Sequence, residues 1–171
     1  MRAVVVFESI YGNTQAIAEA VANGLRQRFG VCVAEVGRAP RSLVGVDLLV
    51  VGGPIRSHLE VGDPAGLPAA GAGESLRDYL LSLVPESGIT AAAFSTARRT
   101  SWFPTGASTS PMVRRLEARG YDLLVKPEHF YVVDVQGPLE PGELERAQAW
   151  GMGLADAYMR VVHGDARRSN Q

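Results

Sequence analysis

The sequence predicts an α/β fold, a three-layer α/β/α doubly wound sandwich around a five-stranded parallel sheet. Two observations carry this. Short β-branched apolar runs alternate with longer stretches of helical periodicity, and strand–helix–strand alternation implies right-handed crossovers and parallel pairing. The length of 171 residues suits one domain, and a chain of this size buries roughly 70% of its unfolded surface, enough to cover both faces of such a sheet.

Residues 3–7, Ala-Val-Val-Val-Phe, read as a strand buried on both faces. Residues 14–28 then place Ile17, Val21 and Leu25 on one helical stripe, with Ala18 and Gly24 beside it. A second strand fits 31–36 and carries Cys32, expected to be buried and inert. A third fits 47–52. Ser75, with Asp78 three residues on, caps a helix whose apolar face is Leu76, Tyr79, Leu80 and Leu83. A fourth strand fits 89–94, and 110–119 reads as a helix with Pro111 in its first turn. The fifth strand is expected to be split, 122–126 then 130–135, around Lys126-Pro127. Pro141 opens the last helix, with Leu144, Ala147, Gly151, Leu154, Tyr158 and Val161 on one side. The expected domain spans 1–162, followed by a polar tail, 163–171, expected to fray. Two long connections, Gly53 to Glu74 and Ser95 to Thr109, follow strand carboxyl ends, which is where doubly wound sheets bind ligands.

Composition narrows the function. With 17 basic and 18 acidic residues and a net charge of −1, there is no electrostatic footprint for nucleic acid or an anionic membrane. Cys32 is the single cysteine, so neither an intrachain disulfide nor an all-cysteine metal site is possible, and a cytoplasmic location is expected. No apolar run approaches the length of a membrane span. His58, His129 and His163 lack metal-type spacing, so no metal is expected. Gly106 to Ser110 stops short of a Gly-x-Ser-x-Gly elbow. Lys126 is the only lysine, which removes any lysine-bearing phosphate loop.

The strongest signal is the turn between the first strand and the first helix, Ser9-Ile10-Tyr11-Gly12-Asn13-Thr14. A phosphate needs donors without bulk. Backbone amides, the Ser9, Tyr11 and Thr14 hydroxyls, the Asn13 amide and the positive helix end all converge there. Gly12 allows a tight turn and close approach. The same residues also suit an ordinary polar turn with a helix cap. Glu8, just before it, is expected to point away or to meet an arginine.

In this turn the chain resembles the flavodoxin-like family, whose phosphate loop reads Ser/Thr-x-Thr-Gly-x-Thr. The tyrosine variant is similar to the flavodoxin modules of flavodiiron proteins and to small flavodoxin-domain proteins. The resemblance runs from Ala3 to about Val162 in element order and loop placement. It implies strand order 2-1-3-4-5 and FMN as cofactor, its phosphate on Ser9, Ile10, Tyr11, Gly12, Asn13 and Thr14. The flavin ring would lie between two loops. One runs from Pro54 through Ile55 and Arg56 to His58; the other begins Ser95, Thr96, Ala97, Arg98 and continues to Trp102 and Phe103. Trp102 and Phe103 are candidates to stack on the ring. The first loop has no aromatic residue, so Pro54, Ile55 or His58 would cover the other face. Ile55, Arg56 and Ser57 stand where a glycine would ease a peptide flip beside the flavin. Arg56, Arg98 and Arg99 would favour a reduced, anionic flavin or hold an anionic substrate, or else form a solvated rim.

The resemblance thus implies an FMN-binding redox protein that transfers electrons with a redox partner protein or a small donor or acceptor. An FMN-dependent NAD(P)H:quinone or small-molecule reductase is one alternative. A flavodoxin-fold binding module that has lost flavin is the other. No side chain stands out as a catalytic acid or base, and monomer and dimer are both open.

Overall fold

In a computed structural model, residues 1–55, 74–84, 88–99 and 111–168 are described. The elements are β1 (Arg2–Phe7), α1 (Asn13–Leu25), β2 (Gly30–Glu35), β3 (Leu48–Pro54), α2 (Leu76–Ser82), β4 (Thr90–Arg98), α3 (Pro111–Ala118), β5 (Asp122–Leu123), β6 (Glu128–Val132) and α4 (Glu143–Arg168). The strands pair in parallel in the order β2-β1-β3-β4-β5, and β6 also pairs with β4. This is the doubly wound α/β/α sandwich read from the sequence.

Alternation along the central strands builds the two cores. Val5 and Phe7 of β1 and Leu48 and Val50 of β3 pack with Ile17, Val21 and Leu25 of α1 and Leu154 of α4. Val4, Val6, Leu49 and Val51 point the other way, onto Leu76, Tyr79 and Leu80 of α2 and Val113 and Leu116 of α3. Strands buried on both faces have no polar side to show, hence their unbroken apolar runs.

The fifth strand is split, as Lys126-Pro127 suggested. Ala91 pairs with Leu123 and Phe94 with Glu128, so Ala92 and Ala93 face a stretch of four residues, 124–127. A proline that cannot donate to the ladder sits in that excess, and the pairing resumes beyond it. β6 in turn extends β4. Ser95, Thr96, Ala97 and Arg98, expected in a loop, are strand residues paired with His129, Phe130, Tyr131 and Val132.

Three other expectations shift. Cys32 is exposed rather than buried, because β2 forms the sheet edge. On α4, Ala147, Leu154, Ala155 and Tyr158 are buried, but Leu144 and Val161 at the ends of the stripe are 45% and 48% exposed; the helix outruns the layer it covers. It also continues through Arg168, past the point where the tail was expected to begin.

α1 and α4 meet backbone to backbone. A Cβ on Gly24 would lie 2.2 Å from the Gln148 carbonyl oxygen, and one on Gly151 would lie 2.2 Å from that of Val21. On the opposite layer, the Ser75 hydroxyl accepts from the Asp78 amide at 3.1 Å, the expected cap of α2. Among the described residues no helix is long and apolar enough to cross a membrane.

Candidate functional site

The carboxyl ends of β1, β3 and β4 lie side by side, with Phe7 beside Gly52 and Gly52 beside Phe94. A Cβ on Gly52 would lie 2.0 Å from the Phe94 ring, so this glycine admits the aromatic core beneath the site. The chain leaves β1 through Glu8, whose amide still donates to the Gly52 carbonyl at 2.9 Å. The Glu8 carboxylate accepts from the Leu76 amide at 3.1 Å and so caps the start of α2, a role the sequence reading did not assign.

The turn then closes on itself. The Gly12 amide donates to Ser9 Oγ at 3.0 Å. Gly12 has φ +84°, with open space where a Cβ would point, so backbone strain, not crowding, selects glycine. Its carbonyl accepts the first helical bond, from Ala16 at 3.0 Å. The amides of Asn13, Thr14 and Gln15 therefore lack acceptors within α1 and present the helix's positive end to the turn. No acidic side chain occupies the first turn of α1.

Thr14 points inward, 2% exposed, and its hydroxyl lies 2.8 Å from that of Thr96 on β4, itself 5% exposed. Two hydroxyls bonded to each other use one of their two hydrogens, so the pair keeps a donor for a ligand. Asn13 reaches sideways instead, donating from Nδ2 to the Gln136 carbonyl at 3.1 Å. Gly137 packs so closely that a Cβ there would lie 2.7 Å from Asn13 Oδ1. Ile10 and Tyr11 stand at the exposed rim.

Across the site, Pro54 pairs with Thr96, and the Ile55 amide donates to the Thr96 carbonyl at 2.9 Å. Because 95–98 is strand, its side chains alternate between layers. Thr96 meets the first turn, whereas buried Ser95 faces the other way, its Oγ 2.5 Å from His129 Nδ1. Ala97 is half-buried. Arg98 lies 3.7 Å from Asp134. Arg99 is held by Glu140 at 2.9 Å and covers the Tyr131 ring at 4.0 Å. Both of these arginines thus face carboxylates of this same chain. Arg56, Trp102 and Phe103 lie outside the described residues.

Behind β6 is an ionic cluster that the sequence did not disclose. Arg146 of α4 donates to Glu128 at 2.5 Å, to Glu143 at 2.7 Å and to the His129 carbonyl. Glu143, 5% exposed, also accepts from the Tyr131 amide at 2.7 Å. Burial acts to raise its carboxyl, but the bonds from Arg146 and Tyr131 outweigh burial and hold it below the usual range. Glu143 and Arg146 sit three residues apart on one helical face, the one hint available in the sequence. Among the described residues, no group of three or more His, Cys, Asp or Glu could hold a metal ion.

No family model and no curated protein matches the chain. Solved structures do. Oxidised flavodoxin 1 from Bacillus cereus is 18% identical over 91% of this chain and 98% of its own, with a TM-score of 0.65. Flavodoxin 2 from the same organism is 18% identical over 91% and 99%, with a TM-score of 0.66. Diflavin flavoprotein A3 from Nostoc sp. is 20% identical over 93% and 94%, at 0.54. The fold is flavodoxin-like.

Proposed function

We propose that this chain is an FMN-binding redox protein that exchanges electrons with a partner protein or a small donor or acceptor, and that the FMN phosphate sits in the turn Ser9–Thr14. The observation that carries this reading is the left-handed Gly12 at the start of α1, with the buried Thr14–Thr96 hydroxyl pair beneath it. The residues present fit a phosphate. Backbone amides at the helix end and neutral hydroxyls supply donors, and the carboxylate adjacent in sequence, Glu8, is engaged at α2.

FMN would supply the electron-transfer chemistry. This chain's residues would do the rest. Ser9 and Gly12 shape the cradle, Thr14 and Thr96 hold a hydroxyl hydrogen toward the phosphate, and Pro54 and Ile55 wall the first face. Arg56, Trp102 and Phe103 are proposed for the ring on sequence grounds alone. The exposed free thiol of Cys32 suits a reducing compartment, the cytoplasm.

A second reading, an FMN-dependent reductase of a quinone or other small molecule using NAD(P)H, draws on the pair of buried Ser95 and half-buried His129. A hydroxyl hydrogen-bonded to an imidazole beside the end of β4 offers a donor and an acceptor along which protons can be relayed, and two-electron reduction of a quinone requires protons where one-electron transfer does not.

The test is titration of phosphate-free protein with FMN, following quenching of flavin fluorescence, beside Ser9→Asp and Thr14→Asp. Saturable quenching at micromolar FMN or below is expected, weakened by each variant about 100-fold or more, since a second anion faces the phosphate. Absence of binding, or binding indifferent to both charges, overturns the reading in favour of a binding module without flavin. NAD(P)H turnover with a quinone, lowered by Ser95→Ala, would favour the reductase.

A further inference from the structure

The sheet is unevenly finished at its two sides. β5 and β6 close one side as short, interrupted strands. β2 closes the other as a regular strand, with six consecutive residues in register with β1 from Gly30 to Glu35. Edges are commonly guarded by proline, a bulge or mid-strand charge. Gly-Val-Cys-Val-Ala carries none of these before Glu35. The Gly30 amide donates inward, to the Met1 carbonyl at 3.0 Å. Backbone groups alternate along a strand, so those of Gly30, Cys32 and Ala34 face β1 and those of Val31, Val33 and Glu35 face outward. Open grooves of about 440 and 410 Å³ flank the strand on the two faces of the sheet, and Cys32 lines both.

We infer that β2 is a self-association edge, at which a second copy of this chain adds its own β2 antiparallel across a two-fold axis at Cys32. The pattern is self-complementary about that residue. Val31 and Val33 exchange amide–carbonyl bonds with the partner's Val33 and Val31, using the outward groups that β1 leaves free. Their half-buried side chains meet on the α1/α4 layer, where the two-fold preserves facing. Cys32 meets the partner's Cys32 on the other face as a non-hydrogen-bonded pair, with Cα atoms about 4.5 Å apart.

Charge selects a second copy over an arbitrary strand. Glu35 is exposed at the end of β2, without a hydrogen-bond or ion partner among the described residues. Arg28 lies just before its start, on the α1/α4 layer against Asp156. The two-fold brings Glu35 opposite the partner's Phe29, beside the partner's Arg28, so unlike charges meet at both ends. A contact this small falls below the roughly 1,200 Å² of a stable dimer, so the association is weak and concentration-dependent. The antiparallel arrangement sends the two candidate sites to opposite ends of the pair and leaves both open.

The experiment is sedimentation of the full chain from about 10 µM to about 1 mM, combined with oxidation by diamide, which takes two electrons and two protons from two thiols to form one disulfide. The expected mass rises from 18.2 kDa toward the dimer. Val33→Pro removes a hydrogen that β2 does not use within its own sheet; it is expected to abolish the rise and slow disulfide formation about tenfold. Cys32→Ser gives no covalent dimer. Should the proline variant fail to fold, Glu35→Arg is expected to weaken association, and adding Arg28→Glu to restore it. A monomer throughout the range overturns the inference. So does a dimer that neither Val33→Pro nor Glu35→Arg disturbs, and so does a dimer that Cys32 does not cross-link.

Discussion

The turn after β1 and the end of β4 with its neighbours on β6 and α4 are joined by the Thr14–Thr96 bond but are held together by different forces. The turn is neutral and local: Ser9, Gly12 and the end of α1 organise one another within six residues, and the Thr14–Thr96 bond is the buried tie to the rest of the sheet. The β6 side is ionic and assembled from distant segments, with Arg146, Glu143, Glu128, Arg99 and Glu140 meeting across β4, β6 and α4. A cradle for a dianion gains from neutral donors and loses from fixed carboxylates. The charges of this half of the molecule are accordingly matched against each other, away from the turn.

That contrast can be broken from either side. The largest effect is expected on the ionic side. Arg146→Met leaves Glu143 buried with one fewer partner and should cost about 2–3 kcal/mol, discounted because Arg146 is itself partly exposed; urea unfolding measures it. A loss below about 0.5 kcal/mol would show that the cluster does not stabilise the fold. On the neutral side, Thr14→Val strands the Thr96 hydroxyl and should cost about 1–2 kcal/mol, part of it recovered when Thr96→Val is added. Additive losses in that cycle would show that the two hydroxyls act separately.

Acid should separate the two regions directly. The folded Glu143 carboxyl lies below its unfolded value, so its contribution is present above the ordinary glutamate range and is lost as pH falls through the folded value. Glu143→Gln should flatten that part of the acid limb in urea unfolding, whereas Thr14→Val should shift stability equally at all pH. An acid limb unchanged by Glu143→Gln would place the titration elsewhere. Gly12→Ala should cost about 1 kcal/mol through its positive φ while weakening FMN binding. Arg99→Gln, at an exposed pair, should change stability by less than about 0.5 kcal/mol.

The same contrast governs how much could be read from the chain. β1 and β3 are buried on both faces and announce themselves as apolar runs, and the split fifth strand is legible because proline cannot pair. The turn Ser9–Thr14 is legible because its parts are contiguous. The end of β4 is different: Ser95-Thr96-Ala97-Arg98 has loop-like polarity and becomes strand because β3 pairs with Ser95 and Thr96 and β6, some thirty residues on, pairs with all four. Cys32 was misjudged because an apolar strand looks alike at the edge and at the centre, and only the register of the assembled sheet tells them apart. The partner of Glu8 was not legible for a related reason, since its acceptor role depends on where α2 begins. Long-range pairing, not local chemistry, is what the sequence withholds.

The contact between Gly24 on α1 and Gly151 on α4 has a kinetic consequence. With two backbones in touch, α1 has no side-chain cushion on which to slide, so the amides at its far end are already in place before any anion arrives. If FMN binds at the turn as proposed, its capture requires no rearrangement of the helix. Stopped-flow association at this end should show a single phase whose rate rises linearly with FMN concentration, without the plateau that a conformational step imposes.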